Sequence, residues 1–313
     1  MPMCFRAPAL VLRMRLAALL LVSVSVLVAT STRAAEAATV SVIDDSGHTV
    51  TLTQPAHRII SLAPHATELL FAAGAGNAVI AVSQYSDYPA AAKSITSVGG
   101  SAALDLERIV ALKPDLLVIW GSGNAASQIA RLRALHIPVF DSDPRDYAAV
   151  ASSIERLAKL SGTTDIGTTA ASAFRRRLTA LQAAYQARPI VSVFYQIWPA
   201  PLMTLNGTHI ASQAIALCGG KNIFAQLPQI APVVGAEAVV QANPEVILSG
   251  SSDTSAALSG WRRFPALHAV QAHNLLMIDA DLLSRAGPRV LDGTEQLCRA
   301  LDGARSRRAN LKR

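Results

Sequence analysis

LERIVALKPDLLVIWGS at residues 106–122 and AEAVVQANPEVILSGSS at residues 236–252 are one phrase written twice. Aligned on Glu107 and Glu237, both copies run through apolar positions to Pro114 or Pro244, then to an acid, Asp115 or Glu245, then into a short apolar run. The pattern predicts the end of a helix, a turn marked by proline, and a strand buried on both faces. A second pair follows in each copy: HIPVFDSD at 136–143 and NLLMIDAD at 274–281 each read as a strand emptying into an Asp-x-Asp loop. Two such halves imply two related lobes.

The segment between the copies reads differently. Val150, Ile154, Leu157 and Leu160 recur with a helical period, and Ser161 and Gly162 interrupt it. Thr163 to Asp165 can then start a second helix reaching about residue 187, on the order of 35 Å long at the α-helical rise. Elsewhere strands and helices alternate. Residues 40–54 predict a hairpin, 58–62 a buried strand, Thr67 a cap for a helix over 68–73, and 288–301 a closing helix. This alternation means βαβ units and mostly parallel sheets. The expected fold is therefore α/β, two lobes of mostly parallel sheet bridged by one long rigid helix. The expected divisions are 1–38, 39–145, a helical linker over 146–188, 189–303, and a basic tail over 304–313.

The 313 residues are 51% apolar and 16% charged, as in a globular α/β chain. The net charge of +7 comes from the ends, with Arg6, Arg13, Arg15 and Arg33 at one and Arg305, Arg307, Arg308, Lys312 and Arg313 at the other. The middle is close to neutral, which removes the case for a nucleic-acid partner. Arg13 and Arg15 precede the apolar run 16–29, and Ala35-Glu36-Ala37 follows it. That is the layout of a cleaved signal peptide over 1–38, too short in its apolar part to span a bilayer. The mature protein is expected in the periplasm. Cys4 leaves with the signal, and Cys218 and Cys298 remain, either as a disulfide or as two buried thiols.

Ligands of open α/β sheets gather at the carboxyl ends of the strands. The loops there carry Tyr85, Asp87, Tyr88, Trp120, Asn124 and Asp143 in the first half, and Tyr195, Trp198, Asp281 and Arg285 in the second. Aromatic residues are only 5% of the chain, so their gathering in these loops suits a large, flat, partly polar ligand. Signatures of catalysis are missing: the sequence holds no GxSxG, HExxH or GxxxxGK[ST], and no nucleophile and base at a recognisable spacing. Seven histidines lie without metal-ligand spacing, and only His65, after the first buried strand, is placed where a ligand could sit. No catalytic residue, metal site or cofactor is expected, and an exported hydrolase is the remote alternative.

Taken together, RIISLAPHATELLFAAG, VSQYSDYPAAA, LERIVALKPDLLVIWGSGN, ALCGGKNIF and SRAGPRV closely resemble the periplasmic cobalamin-binding family of bacterial ABC importers. The resemblance covers essentially the whole mature chain and implies the class III periplasmic binding protein fold, with cobalamin or a related corrinoid clamped between the lobes of a monomer. It places ligand contacts on Tyr85, Trp120, Asp281 and Arg285, with Trp198 in a loop where the family carries another aromatic. It places permease docking on Glu107 and Glu237, a disulfide on Cys218 and Cys298, and an ABC permease transmembrane dimer as the partner. Cobalamin would be the transported ligand, not a cofactor. Ser101 and the neighbourhood of Ala231 depart from the family, which carries Trp there. Haem and ferric siderophores are the alternative ligands, with Tyr85 or His65 as candidate haem axial groups.

Overall fold

The structure, a computed structural model, describes residues 39–250 and 256–311 together with Met1 and Met3. The rest of the expected signal peptide, Cys4 included, lies outside the described residues. A hairpin of β1 (Val40–Ile43) and β2 (Thr49–Leu52) opens the folded chain. Its turn is closed by the Asp44 carboxylate, which accepts from the backbone N–H groups of Ser46 at 3.0 Å and His48 at 2.9 Å.

The first half then runs β3 (Ile59–Ser61), α1 (Pro64–Ala72), β4 (Val79–Val82), a two-stranded ribbon of β5 (Gly99–Gly100) and β6 (Ala103–Leu104), α2 (Leu106–Ala111), β7 (Leu116–Ile119), α3 (Ala126–Ala134) and β8 (Val139–Asp141). Two helices follow, α4 (Tyr147–Leu160) and α5 (Thr164–Tyr185). The second half contains β9 (Val191–Gln196), a ribbon of β10 (Trp198–Pro199) and β11 (Leu202–Met203), α6 (Ile210–Leu217), β12 (Gly220–Asn222), α7 (Ala236–Ala242), β13 (Val246–Ser249), α8 (Ala256–Ser259), α9 (His268–Gln271), β14 (Leu275–Met277), α10 (Ala280–Leu283) and α11 (Val290–Leu311).

The four-stranded sheets have the same plan. Their orders are β4-β3-β7-β8 and β12-β9-β13-β14, and every pairing in both is parallel. The repeated phrase explains why. Lys113 and Asn243 both take left-handed φ values, 48° and 44°, and end their helices just before Pro114 and Pro244. The acids that follow reach the neighbouring strand. Asp115 accepts from the Arg58 N–H at 3.0 Å and Glu245 from the Ser192 N–H at 3.1 Å, where β3 and β9 begin. One acid per half thus fixes the register of the central strand pair.

Strands β3 and β7 alternate their side chains between two cores, as the period of 2 requires. Ile59, Leu116 and Val118 face a core shared with the helices, whereas Ile60, Leu117 and Ile119 face an outer core of their own half. The second half repeats this: Val193, Tyr195, Val246 and Leu248 belong to the same shared core, and Phe194 and Ile247 to a separate outer one. The shared core runs through α4, α5, α6 and α11, with Ile154, Phe174, Ile215 and Leu297 all buried in it. Burying each such side chain is worth roughly 1.5–3 kcal/mol, so the halves are held by continuous packing as well as by the chain between them.

Helix α5 is the bridge, about 33 Å long for its 22 residues. It lies close on α4, where a Cβ on Gly167 would stand 2.2 Å from the Cβ of Ala158. Arg175 pairs with Glu155 of α4, and Arg177 pairs with Asp292 and Glu295 of α11. Further on, Tyr147 Oη and Thr294 Oγ1 meet at 2.7 Å between α4 and α11. A disulfide joins Cys218, at the end of α6, to Cys298 of α11.

Three expectations need correction. Thr67 is not a cap, because α1 starts at Pro64, a residue suited to a first helical turn, and the Thr67 hydroxyl is buried beside Ser61 Oγ at 2.8 Å and Ser86 Oγ at 3.0 Å. Tyr195 belongs to the core and not to a ligand loop, its hydroxyl 2.9 Å from Ser284 Oγ. The segment from residue 304 is no solvated tail within the described residues, since α11 continues to Leu311. Arg305 donates to the carbonyls of Pro189 at 2.7 Å and Cys218 at 2.6 Å, and Arg308 pairs with Glu245. Basic side chains there satisfy the free carbonyls at the end of α6, a favourable placement for cations.

Candidate functional site

Between the halves, at the carboxyl ends of both sheets, lie two cavities of about 480 and 650 Å³. They share four lining residues, Pro64 and Trp120 from the first half and Asp281 and Arg285 from the second, and so form one cleft in two compartments. The first compartment is largely apolar, with Leu205, Ile210, Ile230 and Pro144 on its walls. The other is more polar and lies under Gln84, Tyr85 and Asp87.

Trp120 follows β7 directly and is held from several sides. Its backbone N–H donates to Asn124 Oδ1 at 2.7 Å, and Asn124 is itself pinned to the Leu62 carbonyl at 3.0 Å. Its indole N–H donates to Asp143 Oδ1 at 3.1 Å. The ring of His65 meets the indole edge-on, with centroids 5.5 Å apart and an interplanar angle of 80°. Since His65 Nε2 lies 2.9 Å from the Ser142 carbonyl, that nitrogen carries the proton. Burial lowers the His65 pKa, so the ring is neutral at pH 7. It serves as a wedge behind Trp120.

Tyr85 sits at φ 65°, an uncommon angle for a bulky residue. The turn holds it there through Gln84 N–H to the Gly99 carbonyl at 2.8 Å, and the side chain stands 77% exposed at the rim of the polar compartment. Opposite it, Arg285 binds Asp281 at 2.8 Å, one helical turn back, and Asp87 of the first half at 3.1 Å. Burial raises the Asp281 pKa, only partly countered by Arg285. Burial would also raise Asp87, but the hydrogen bond and charge of Arg285 outweigh it and lower that carboxyl.

The structure thus brings Tyr85, Trp120, Asp281 and Arg285 together, with Asp87, Asp143 and His65 beside them. Trp198 is not brought in. It lines neither cavity, is 58% exposed, and spends its indole N–H on the Ala200 carbonyl of its own hairpin at 3.0 Å. Tyr88 is also off the walls, its ring under the Arg289 guanidinium at 4.0 Å. Ser101 and Ala231, where the family carries Trp, line the polar and apolar compartments respectively and leave room in each.

Sequence reading missed three residues. His209 caps α6, accepts the Ala211 N–H on Nδ1 at 3.2 Å, and so presents Nε2–H at the apolar compartment; burial lowers its pKa to about 4. Glu68 and Arg289 form an ion pair behind the cleft. A signal existed for that pair: Glu68 is the one acid in the largely apolar stretch 66–73, and Arg289 falls four residues after Arg285, as Arg285 does after Asp281. Glu107 and Glu237 occupy equivalent places, each the second residue of its helix and each exposed. Among the described residues no cluster of His, Cys, Asp and Glu could hold a metal ion, and no helix is long and apolar enough to cross a membrane.

Comparison with known proteins gives a consistent result. Residues 59–282 match the model of the periplasmic binding protein family. The vitamin B12-binding protein of Vibrio cholerae is 41% identical over 245 residues, covering 78% of this chain and 88% of that protein. The solved structure of the periplasmic vitamin B12 binding protein of Vibrio cholerae superposes with a TM-score of 0.75 at 40% identity, over 80% of this chain and 98% of that one. A periplasmic heme-binding protein from Roseiflexus shares the fold, with a TM-score of 0.71 at 23% identity over 79% of this chain and 99% of that one.

Proposed function

Because the chain belongs to the periplasmic binding protein family, we propose that it captures cobalamin or a related corrinoid and delivers it to an ABC permease, with no catalysis of its own. The observation that carries this reading is the cleft itself. Trp120 from one half and the Asp281–Arg285 pair from the other meet where two contiguous cavities join. A corrin is a broad, flat ring fringed with amide side chains. Trp120 and Tyr85 offer it apolar faces, and Asp281 and Arg285 offer an acceptor and donors to the amides, fixing orientation more than supplying area. Trp198 is left out of this contact set.

Haem is supported less well. Of its two candidate axial ligands, His65 is buried with one ring nitrogen committed to Ser142, and Tyr85 would have to serve alone. A ferric siderophore calls for several free cleft cations, whereas Arg285 already carries two close carboxylates.

In this reading residues 1–38 export the protein to the periplasm, where it acts as a monomer. The lobes are 39–145 and 189–303 joined through 146–188, with the end of α11 belonging to the second lobe. Glu107 and Glu237, one on each half, dock onto the two-fold permease dimer. Titrating the purified protein with cyanocobalamin while following tryptophan fluorescence tests the reading: saturable quenching that is lost in Trp120→Phe is expected, and an unchanged wild-type signal with no binding by equilibrium dialysis would overturn it.

A further inference from the structure

Glu68 lies on α1 of the first half with its side chain 1% exposed, the one acid of that helix. Its counter-charges come from the second half. Arg289 grips it with two hydrogen bonds, Nε to Oε2 at 3.0 Å and Nη2 to Oε1 at 2.6 Å, and Arg285 Nη1 approaches Oε1 to 3.7 Å. The segment between the two arginines is shaped for this approach, since a Cβ on Gly287 would stand 3.1 Å from Glu68 Oε2. Arg289 also covers the Tyr88 ring at 4.0 Å, next to Asp87, which holds Arg285 at 3.1 Å.

Such a buried ion pair is a poor device for stability alone, because apolar side chains of similar volume commonly do as well. Its geometric effect is specific. One pair ties α1, the Asp87–Tyr88 loop and the Arg285–Arg289 segment together behind the cleft. We propose that Glu68 and Arg289 are positioning residues that set the cleft width and hold Arg285 at its wall before a ligand enters.

The inference rests on the corrinoid reading only for its choice of ligand. Losing a direct contact mainly speeds dissociation, whereas losing preorganisation leaves fewer binding-competent molecules and slows association. Stopped-flow binding of cyanocobalamin to Glu68→Gln should show association slowed by about tenfold with dissociation nearly unchanged. Arg289→Lys, which keeps the charge but loses the fork, should fall between Glu68→Gln and wild type. Glu155→Gln, which breaks an equally paired arginine away from the cleft, should bind as wild type does.

A second arm needs no ligand. Spin labels on Lys93→Cys and Lys221→Cys, one exposed site on each half, should give a broader distance distribution in the Glu68→Gln background. Unchanged association in Glu68→Gln, or in Arg289→Lys should Glu68→Gln not fold, overturns the proposal, and so does an unchanged distance distribution. If wild type fails to bind cyanocobalamin, the corrinoid reading falls, and the distance measurement alone decides the positioning role.

Discussion

His65 sets its ring edge-on to Trp120, with the centroids 5.5 Å apart, and is itself anchored to the Ser142 carbonyl at 2.9 Å. The indole is therefore fixed from behind as well as by Asp143 in front. Trp120→Ala removes a large apolar face from the cleft and should weaken cyanocobalamin binding by about 2 kcal/mol, roughly 30-fold. His65→Ala leaves the indole in place without its wedge and should cost less, about fivefold. Calorimetric titration of both variants checks the order.

If Glu107 and Glu237 dock onto a permease, docking should be separable from capture. Glu107 and Glu237 are exposed at the second position of α2 and α7, away from the lining of both cavities. The double variant Glu107→Ala, Glu237→Ala should bind cobalamin with wild-type affinity and lose cobalamin uptake in cells that depend on it. Unchanged uptake would remove the docking role. Each exposed acid also favours its helix N-terminus, so a few tenths of a kcal/mol of stability should go with each.

Acid sensitivity should come from His209. Burial lowers its folded pKa from 6.5 to about 4, so the unfolded chain binds the additional proton between those values. The stability of the neutral ring is fully present above about pH 6.5 and is lost as pH falls toward 4, by at most about 3 kcal/mol. Urea midpoints measured at pH 7 and pH 4.5 should differ less in His209→Asn than in wild type. His65, also lowered by burial, acts in the same direction and leaves a residual slope.

The disulfide closes a span of 80 residues between α6 and α11. Reduction, or the Cys218→Ala, Cys298→Ala double variant, should lower unfolding free energy by about 2–4 kcal/mol. Because the shared core also holds these helices, the reduced protein should remain folded at 25 °C. Denaturation curves with and without reductant measure the difference.

Much of this fold is legible in the repeated phrase. Its proline turns and buried strands dictated two parallel sheets, and the duplicated acids, Asp115 and Glu245, prove to be the residues that lock each central strand. What escaped were relationships that sequence spacing cannot express. Glu68 finds its partner 221 residues away, and Trp198, in the right loop, turns its N–H to its own hairpin. The basic end of α11 misled because charge composition alone does not reveal that backbone carbonyls wait at the end of α6. A topological rule points to the loops at the strand ends; an ion pair behind the cleft has no such rule.

Corrinoid capture is tested most directly by calorimetry of the purified mature protein against cyanocobalamin, haemin and a ferric hydroxamate siderophore in parallel. One-site, saturable binding of cyanocobalamin is expected, with none of comparable strength for the other two. No heat with cyanocobalamin and tight binding of haemin would contradict it.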